Sequence, residues 1–255
     1  MGDSVEASSY YAQVGFDARF EWGIEGMQRL APHSDVVVIV DVLRFTTAVD
    51  VAVSRSAVVY PYHGQPDGSA EAYARELGAR LADWRGATTS ERHYSLSPAS
   101  LLTLAPDERL VLPSPNGATL AFLAAATPAT VLAGCLRNAT AVAAAARDHG
   151  GLVAVIAAGE RRERDTGGLR PAVEDLLGAG AILTALRPVA PSPEARAAMA
   201  AFQAAELDLR THLFGCSSGR ELVQKGFSQD VEIAAEHDVS RTVPILRERA
   251  FRALR

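Results

Sequence analysis

The chain has 255 residues, 48% of them hydrophobic, with two cysteines and a formal net charge of −5. That length suffices for a sizeable core; two cysteines make no disulfide framework in such a chain, and an acidic balance without a basic block argues against a nucleic-acid surface. No apolar run reaches the ~20 residues of a bilayer-spanning helix. Asp3 and Glu6 stand where a secretory leader carries positive charge, with no apolar segment behind them, so the expected location is cytoplasmic.

Taken in order, Tyr10 to Phe16 reads as a first strand and Trp22 to Leu30 as an amphipathic helix. Val36 to Val40 is apolar throughout, as in a strand covered on both faces. Thr47 to Val53 begins a helix, Ala57 to Tyr60 is a strand, Pro61 to Ser69 is turn-rich, and Ala70 to Leu81 is helical by composition. Gly86 to Ser97 is polar and irregular, in the manner of a functional loop.

From Leu110 onward, strand and helix alternate more cleanly. Helices are expected over Gly117 to Ala126 and over Asn138 to Asp148, the latter capped by Asn138. Arg161 to Arg170 reads as a charged, mobile loop. Ala172 to Leu186 is a strong helix, and Pro191-Ser192-Pro193 leads into another that runs to about Arg210. Ser217 is the expected cap of a further helix, Gln229 to His237 is one more, and Val243 to Leu246 is a late strand. The pattern predicts α/β architecture, a layered α/β/α unit around a mostly parallel or mixed sheet. It forms a single unit over 1–255, with a two-lobed division at 110/111 left open.

Four apolar runs end at polar, turn-prone segments that open helices, after Val40, Leu112, Ala133 and Ile156. In a mostly parallel sheet such junctions gather along the carboxyl-end edge, where open α/β proteins bind ligands. Each junction carries candidate chemistry beside an ordinary structural alternative. Asp41 can hold a divalent cation, with Arg44, Thr46 and Thr47 following to hold phosphate oxygens; alternatively Asp41 caps the helix. Asn116-Gly117 permits close approach of a ligand to the backbone, or is an ordinary turn. Arg137, beside Asn138, can grip an anion bidentately. Cys135 lacks the five-residue spacing to an arginine found in cysteine-dependent phosphatases, and reads as a small packed residue. Glu160, Glu174 and Asp175 can join Asp41 around Mg²⁺, although acidic residues in a first helical turn also favour the macrodipole. Ser218-Gly219-Arg220 is an anion loop at a helix start, or a cap with a surface arginine. Gly178 and Gly180 inside a helix imply tight packing against a neighbour. No zinc spacing, dinucleotide fingerprint, Walker loop or Gly-x-Ser-x-Gly elbow occurs.

In chain order, several segments resemble the 2-phosphosulfolactate phosphatase family. They are Asp41-Val-Leu-Arg44-Phe-Thr-Thr47, Ser97-Pro98, Pro115-Asn116-Gly117-Ala-Thr119, Cys135-Leu-Arg-Asn-Ala139 and Ala158-Gly-Glu160. Glu174-Asp-Leu-Leu-Gly-Ala-Gly180, Ser218-Gly-Arg-Glu-Leu222, Gly226-Phe227, Asp230-Val-Glu-Ile233, Asp238 and Val243-Pro-Ile-Leu246 complete the set. The resemblance implies a fold of the family's own α/β type and Mg²⁺-dependent hydrolysis of 2-phosphosulfolactate, in the coenzyme M branch of sulfonate metabolism. The loop around Leu96 looks shortened against the family pattern, and Arg161 to Arg170 longer and more charged.

On this reading Mg²⁺ sits among Asp41, Glu160 and Glu174 or Asp175. Arg44 and the Asn116-Gly117 turn hold the phosphoryl oxygens. Arg137, Asn138 and the Ser218-Gly219-Arg220 loop hold the other anions. A metal-activated water, or Asp41 itself, attacks phosphorus, with Asp175 as the candidate base. Alternative expectations are a phosphatase of another 2-phospho-carboxylate and a non-catalytic anion-binding regulatory protein. The expected partner is a small phosphorylated anion, not nucleic acid or membrane, and a homodimer is left open.

Overall fold

The alternating apolar segments become the strands of one sheet in a computed structural model of the chain, which describes residues 10–64, 68–83, 93–161 and 168–254. The strands are β1 (Ala18–Trp22), β2 (Val36–Val40), β3 (Val58–Tyr62), β4 (Arg80–Leu81), β5 (Arg109–Pro113), β6 (Thr130–Gly134) and β7 (Val153–Ala157). Next come β8 (Glu160–Arg161) and β9 (Leu169–Arg170), which pair with each other, then β10 (Pro244–Arg247) and β11 (Ala250–Ala253). The helices are α1 (Gly23–Leu30), α2 (Phe45–Ser54), α3 (Ser69–Glu76), α4 (Pro98–Leu101), α5 (Gly117–Ala124) and α6 (Ala139–His149). They continue with α7 (Val173–Leu186), α8 (Pro193–Ala205), α9 (Leu209–Gly215), α10 (Ser217–Gln224) and α11 (Ser228–Ala235). No described helix is long and apolar enough to cross a membrane.

The sheet order is β1-β7-β2-β6-β10-β11-β3-β5-β4, so strands from before and after residue 110 interleave. It consists of two parallel blocks, β1-β7-β2-β6 and β3-β5-β4. The antiparallel hairpin β10–β11 joins them. Three antiparallel pairings in succession mean that β5 runs opposite to β2. The expectation that all four junctions line one edge therefore holds for β2, β6 and β7 and fails for β5.

The end of β5 nonetheless meets the end of β2, where the Gly117 N–H donates to Asp41 Oδ2 at 2.9 Å. One sheet face, with Val37 and Ile39 of β2, Leu110 and Leu112 of β5 and Phe251 of β11, packs into one cluster with Phe45, Ala48, Val49 and Ala52. Every residue from Phe45 to Val53 is buried, and the polar ones among them, Thr46, Thr47 and Asp50, are all hydrogen-bonded. The alternate residues Val36, Val38 and Val40 face α6, α7 and α8 on the other side. Both faces of β2 are covered, which explains its unbroken apolar sequence.

Helix α7 is as central as its glycines suggest. A Cβ on Gly178 stands 2.6 Å from Val42 Cγ2, and one on Gly180 stands 2.1 Å from the Ala198 carbonyl oxygen of α8. Other expectations need correction. Tyr10 and Tyr11 are exposed and form no strand; the first strand begins at Ala18. The helix expected to reach Leu81 stops at Glu76, and Gly78 (φ +58°) turns the chain into edge strand β4. Asn138 does not cap α6 with its side chain, because its Oδ1 accepts the Cys135 N–H at 2.9 Å. Cys216, not Ser217, caps α10, its Sγ accepting the Gly219 N–H at 3.3 Å. Gly86 to Arg92 of the polar loop lie outside the described residues.

Gly180→Ala is expected to force α7 and α8 apart and destabilise the protein by about 1–3 kcal/mol. Gly151→Ala, whose Cβ meets nothing within 4 Å, is the near-neutral control. Equal midpoints in denaturant for the two variants count against this packing.

Candidate active site

Four carboxylates converge where the chain leaves β2 and β7, enters α5 and begins α7. Asp41 follows β2. Its Oδ1 accepts the Phe45 N–H at 3.2 Å and its Oδ2 the Gly117 N–H at 2.9 Å. Asn116, next to Gly117, donates from Nδ2 to Glu160 Oε2 at 3.1 Å. The Gly159 N–H, next to Glu160, donates to Asp175 Oδ2 at 2.8 Å. The Val42 N–H, next to Asp41, donates to Asp175 Oδ1 at 2.7 Å. The bonds link three of the carboxylates in a circuit: Asp175 is held by the neighbours of Asp41 and Glu160, and these two are held by the adjacent residues Gly117 and Asn116.

Two glycines make the circuit possible. A Cβ on Gly117 lies 2.3 Å from the Phe45 ring and 2.8 Å from Asp41 Oδ2. Gly159 adopts φ +64°, and a Cβ there stands 3.0 Å from the Arg170 carbonyl oxygen, so a side chain is excluded by conformation and by space.

The cluster is short of positive charge. Burial lifts the Asp41 carboxyl to about 6, opposed by its two backbone N–H bonds; the neighbouring Glu174 raises it further and Arg44 lowers it. Burial, with Asp41 and Glu174 nearby, lifts Asp175 well above the ordinary carboxylate range. Glu160 is pushed up to about 7, again chiefly by burial, with the Asn116 bond and Arg170 opposing. Glu174 is almost fully buried and its Oε2 has no hydrogen-bond partner. A buried acceptor left without a donor is costly; a cation is one group that satisfies it. Among the described residues no three His, Cys, Asp or Glu side chains form a preformed metal cage.

Arg44 supplies one local cation. Its Nη1 donates to Asp230 at 2.9 Å and its guanidinium lies 4.7 Å from the Phe227 ring centroid. Asp230 is itself buried and accepts from Ser97 Oγ at 2.5 Å and from the Ala99 N–H at 3.2 Å. Arg170 is a second: it faces Glu160 across the β8–β9 pair, and its Nη2 donates to Ser218 Oγ at 2.9 Å. Beside the cluster a cavity of about 540 Å³ opens, lined by Trp22, Glu25, Arg29, Asn116, Ala158 and Leu169.

Other expected site residues are occupied elsewhere. Thr46 Oγ1 donates to the Asp41 carbonyl at 2.9 Å and accepts the Asp41 N–H at 3.0 Å; Thr47 Oγ1 donates to the Val42 carbonyl at 2.8 Å. Arg137 is closed by Asp50 at 2.9 Å, by Glu236 and by the Ile233 carbonyl. Asn138 is buried and also donates to the Thr242 carbonyl. Arg220 is exposed and lines a shallow outer groove with Ser217 and Gln224. Gly219 packs under the Leu213 carbonyl, 1.8 Å from where its Cβ would stand. Burial pushes the Cys135 thiol far up, and pushes Cys216 to about 12, so neither is a ready nucleophile.

Sequence reasoning gave no role to Asp230 or Ser97 and missed Arg170. The first two lay inside motifs without an evident partner. Arg170 sat at the end of a charged stretch read as a loop, whose residues 162–167 lie outside the described residues; Glu160–Arg161 and Leu169–Arg170 are paired strands.

Residues 25–249 match the family model described as 2-phosphosulpholactate phosphatase. A relative from Methanothermobacter thermautotrophicus, named 2-phosphosulfolactate phosphatase, is 30% identical over 215 residues, covering 84% of this chain and 88% of the relative.

Two outcomes are expected from this geometry. In the unfolded chain Asp41 and Glu160 ionise near 3.8 and 4.5, and in the fold near 6 and 7. Between those limits the folded state binds more protons, so the divalent-free protein loses stability as pH rises from about 4 to about 7. Tm measured in chelator should fall across that window, by roughly 2–4 °C for each kcal/mol lost in a chain this size, and fall less in Asp41→Asn. A Tm that climbs through the window refutes the charge argument. Gly117→Ala should displace Phe45 and Asp41 together, lowering stability by about 1–3 kcal/mol and reducing turnover; unchanged values for both count against the turn's role.

Proposed function

The chain belongs to the 2-phosphosulpholactate phosphatase family and is a phosphoric monoester hydrolase; from that premise we propose that it hydrolyses 2-phosphosulfolactate to sulfolactate and inorganic phosphate, with Mg²⁺ as cofactor. The observation that carries the reading is the buried circuit of Asp41, Glu160 and Asp175 beside Arg44, with the adjacent Glu174 buried and one of its oxygens lacking a donor. The reaction belongs with the sulfonate chemistry that leads to coenzyme M, in the cytoplasm.

Mg²⁺ is commonly held by one or two carboxylates together with waters and substrate phosphates, so a closed protein cage is not required. Asp41 and Glu174 would hold it. When bound, the ion neutralises phosphoryl oxygens and lowers the pKa of a water. Arg44 orients the phosphoryl group, and the Asn116-Gly117 turn, whose donors hold Glu160 and Asp41, positions those carboxylates beside it. The Asp230 pair and the Phe227 ring fix the guanidinium of Arg44, so its ordering entropy is met before substrate arrives. Glu160 is anchored through Oε2 by Asn116, which leaves Oε1 to take a proton from the attacking water. Both oxygens of Asp175 accept backbone N–H bonds, which supports a positioning role in place of the base role expected from sequence. The arriving substrate is multiply anionic, and the local arginines offset its repulsion from the carboxylates.

Phosphate release should be detectable from 2-phosphosulfolactate with Mg²⁺ and vanish in chelator. Asp41→Asn should lower kcat on the order of 10²-fold or more while the protein stays folded by circular dichroism. A panel of phosphoglycolate, phospholactate and phosphosulfolactate ranks the substrates. Release that survives chelation removes Mg²⁺ from the scheme, and an inert wild-type protein that still binds these anions points to a regulatory role.

A further inference from the structure

Three arginines stood out in the sequence as anion holders, and two are poorly placed for it. Arg137 is enclosed by Asp50, Glu236 and a carbonyl. Arg220 is exposed on the outer side of α10. Arg44 stands by Asp41, committed to Asp230 through one nitrogen. A substrate with a phosphoryl group and two further acid groups needs a cation at the other end of the cluster.

Arg170 occupies that end. It is the direct cross-strand partner of Glu160, and side chains of such a pair project from the same face with Cβ atoms about 4.5–5.5 Å apart. Asn116 fixes the Glu160 carboxylate at the edge of the circuit, so Arg170 flanks the circuit there. Ser218 holds the guanidinium from the other side, at 2.9 Å from Nη2. Ser218 is itself buried in the first turn of α10. Its position is fixed by the Cys216 cap and by the packing of Gly219 under Leu213. Among the described residues Arg170 has no other hydrogen-bond partner, which leaves most of its planar donor fork open. A guanidinium held at one nitrogen presents a free edge suited to a carboxylate or sulfonate, which takes two parallel N–H bonds.

We propose that Arg170, positioned by Ser218, binds the acid group of the substrate that is not transferred and so selects phosphate esters carrying a second strong anion. The inference rests on the hydrolytic reading above and adds the group that sets its specificity. Carboxylate and sulfonate share the chemistry of recognition; analogues separate them.

The test uses the full-length protein with Mg²⁺. Arg170→Met, Arg170→Lys and Ser218→Ala are compared with wild type on 2-phosphosulfolactate, on 2-phospholactate, which lacks the sulfonate, and on the phosphate ester of 2-hydroxyethanesulfonate, which lacks the carboxylate. For 2-phosphosulfolactate, Arg170→Met should raise KM about tenfold or more with kcat little changed, the mark of lost uniform binding. Ser218→Ala should raise it less, and Arg170→Lys should recover part of the loss, since a point charge replaces the fork. The analogue whose KM ignores Arg170→Met lacks the group that Arg170 holds. Wild-type KM in Arg170→Met on all three substrates, or a loss confined to kcat, overturns the proposal. Calorimetry with sulfolactate decides independently of turnover. Binding about tenfold weaker in Arg170→Met supports the proposal, whereas equal binding, or none by wild type, overturns it. If wild type releases no phosphate from any ester, the hydrolytic reading falls while the calorimetry still judges Arg170.

Discussion

The site depends on backbone N–H groups that hold carboxylates against their mutual repulsion. Asp41 and Asp175 each accept two such bonds, and three of the four donors sit beside another acidic residue of the cluster or its amide anchor, the fourth being Phe45. Loops that follow different strands are thereby tied by charge as well as by apolar contact. The fold tolerates this because the surrounding helices and strands are already closely packed, with α2 sealed on all sides and α7 drawn against its neighbours through glycine. Removing ions from water is expensive, and such groups persist only where hydrogen bonds or a counter-charge compensate. Here the hydrogen bonds are present and the counter-charge is incomplete, a state suited to admitting a cation and a phosphoryl group together.

Much of the fold was legible from residue pattern. The unbroken run Val36–Val40, the strands ending near Gly134 and Ala157, and the helix carrying Gly178 and Gly180 all stand where apolar periodicity put them. Strand β11 was hidden for a physical reason. Its hairpin turns on Glu248 and Arg249, both at positive φ, where glycine and asparagine are the usual residues, so the turn carried no signal. The strand contributes few large apolar residues of its own, Phe251 above all. Pattern also says nothing of strand direction, which is why the reversal of β5 was invisible.

The candidate site divides in the same way. Asp41 and Glu160 were found because the carboxyl ends of parallel strands gather at one edge, Asn116 and Gly117 reach the site although β5 runs the other way, and α7 delivered Glu174 and Asp175 through its first turn. Arginines were harder, because a long flexible side chain is assigned by its partner and the partner is distant in sequence. Arg137 looked free until Asp50, far along the chain and buried within α2, was seen to claim it. Arg170 looked like loop charge until the strand pair placed it across from Glu160.

The hairpin formed by residues 244–253 lies in the middle of the sheet yet comes after all its other strands in the chain. During synthesis, two half-sheets of opposite sense must therefore wait side by side with unpaired inner edges on β6 and β3. Such edges are templates for pairing with other chains. The hairpin over residues 244–253 covers both of those edges at once, β10 on β6 and β11 on β3.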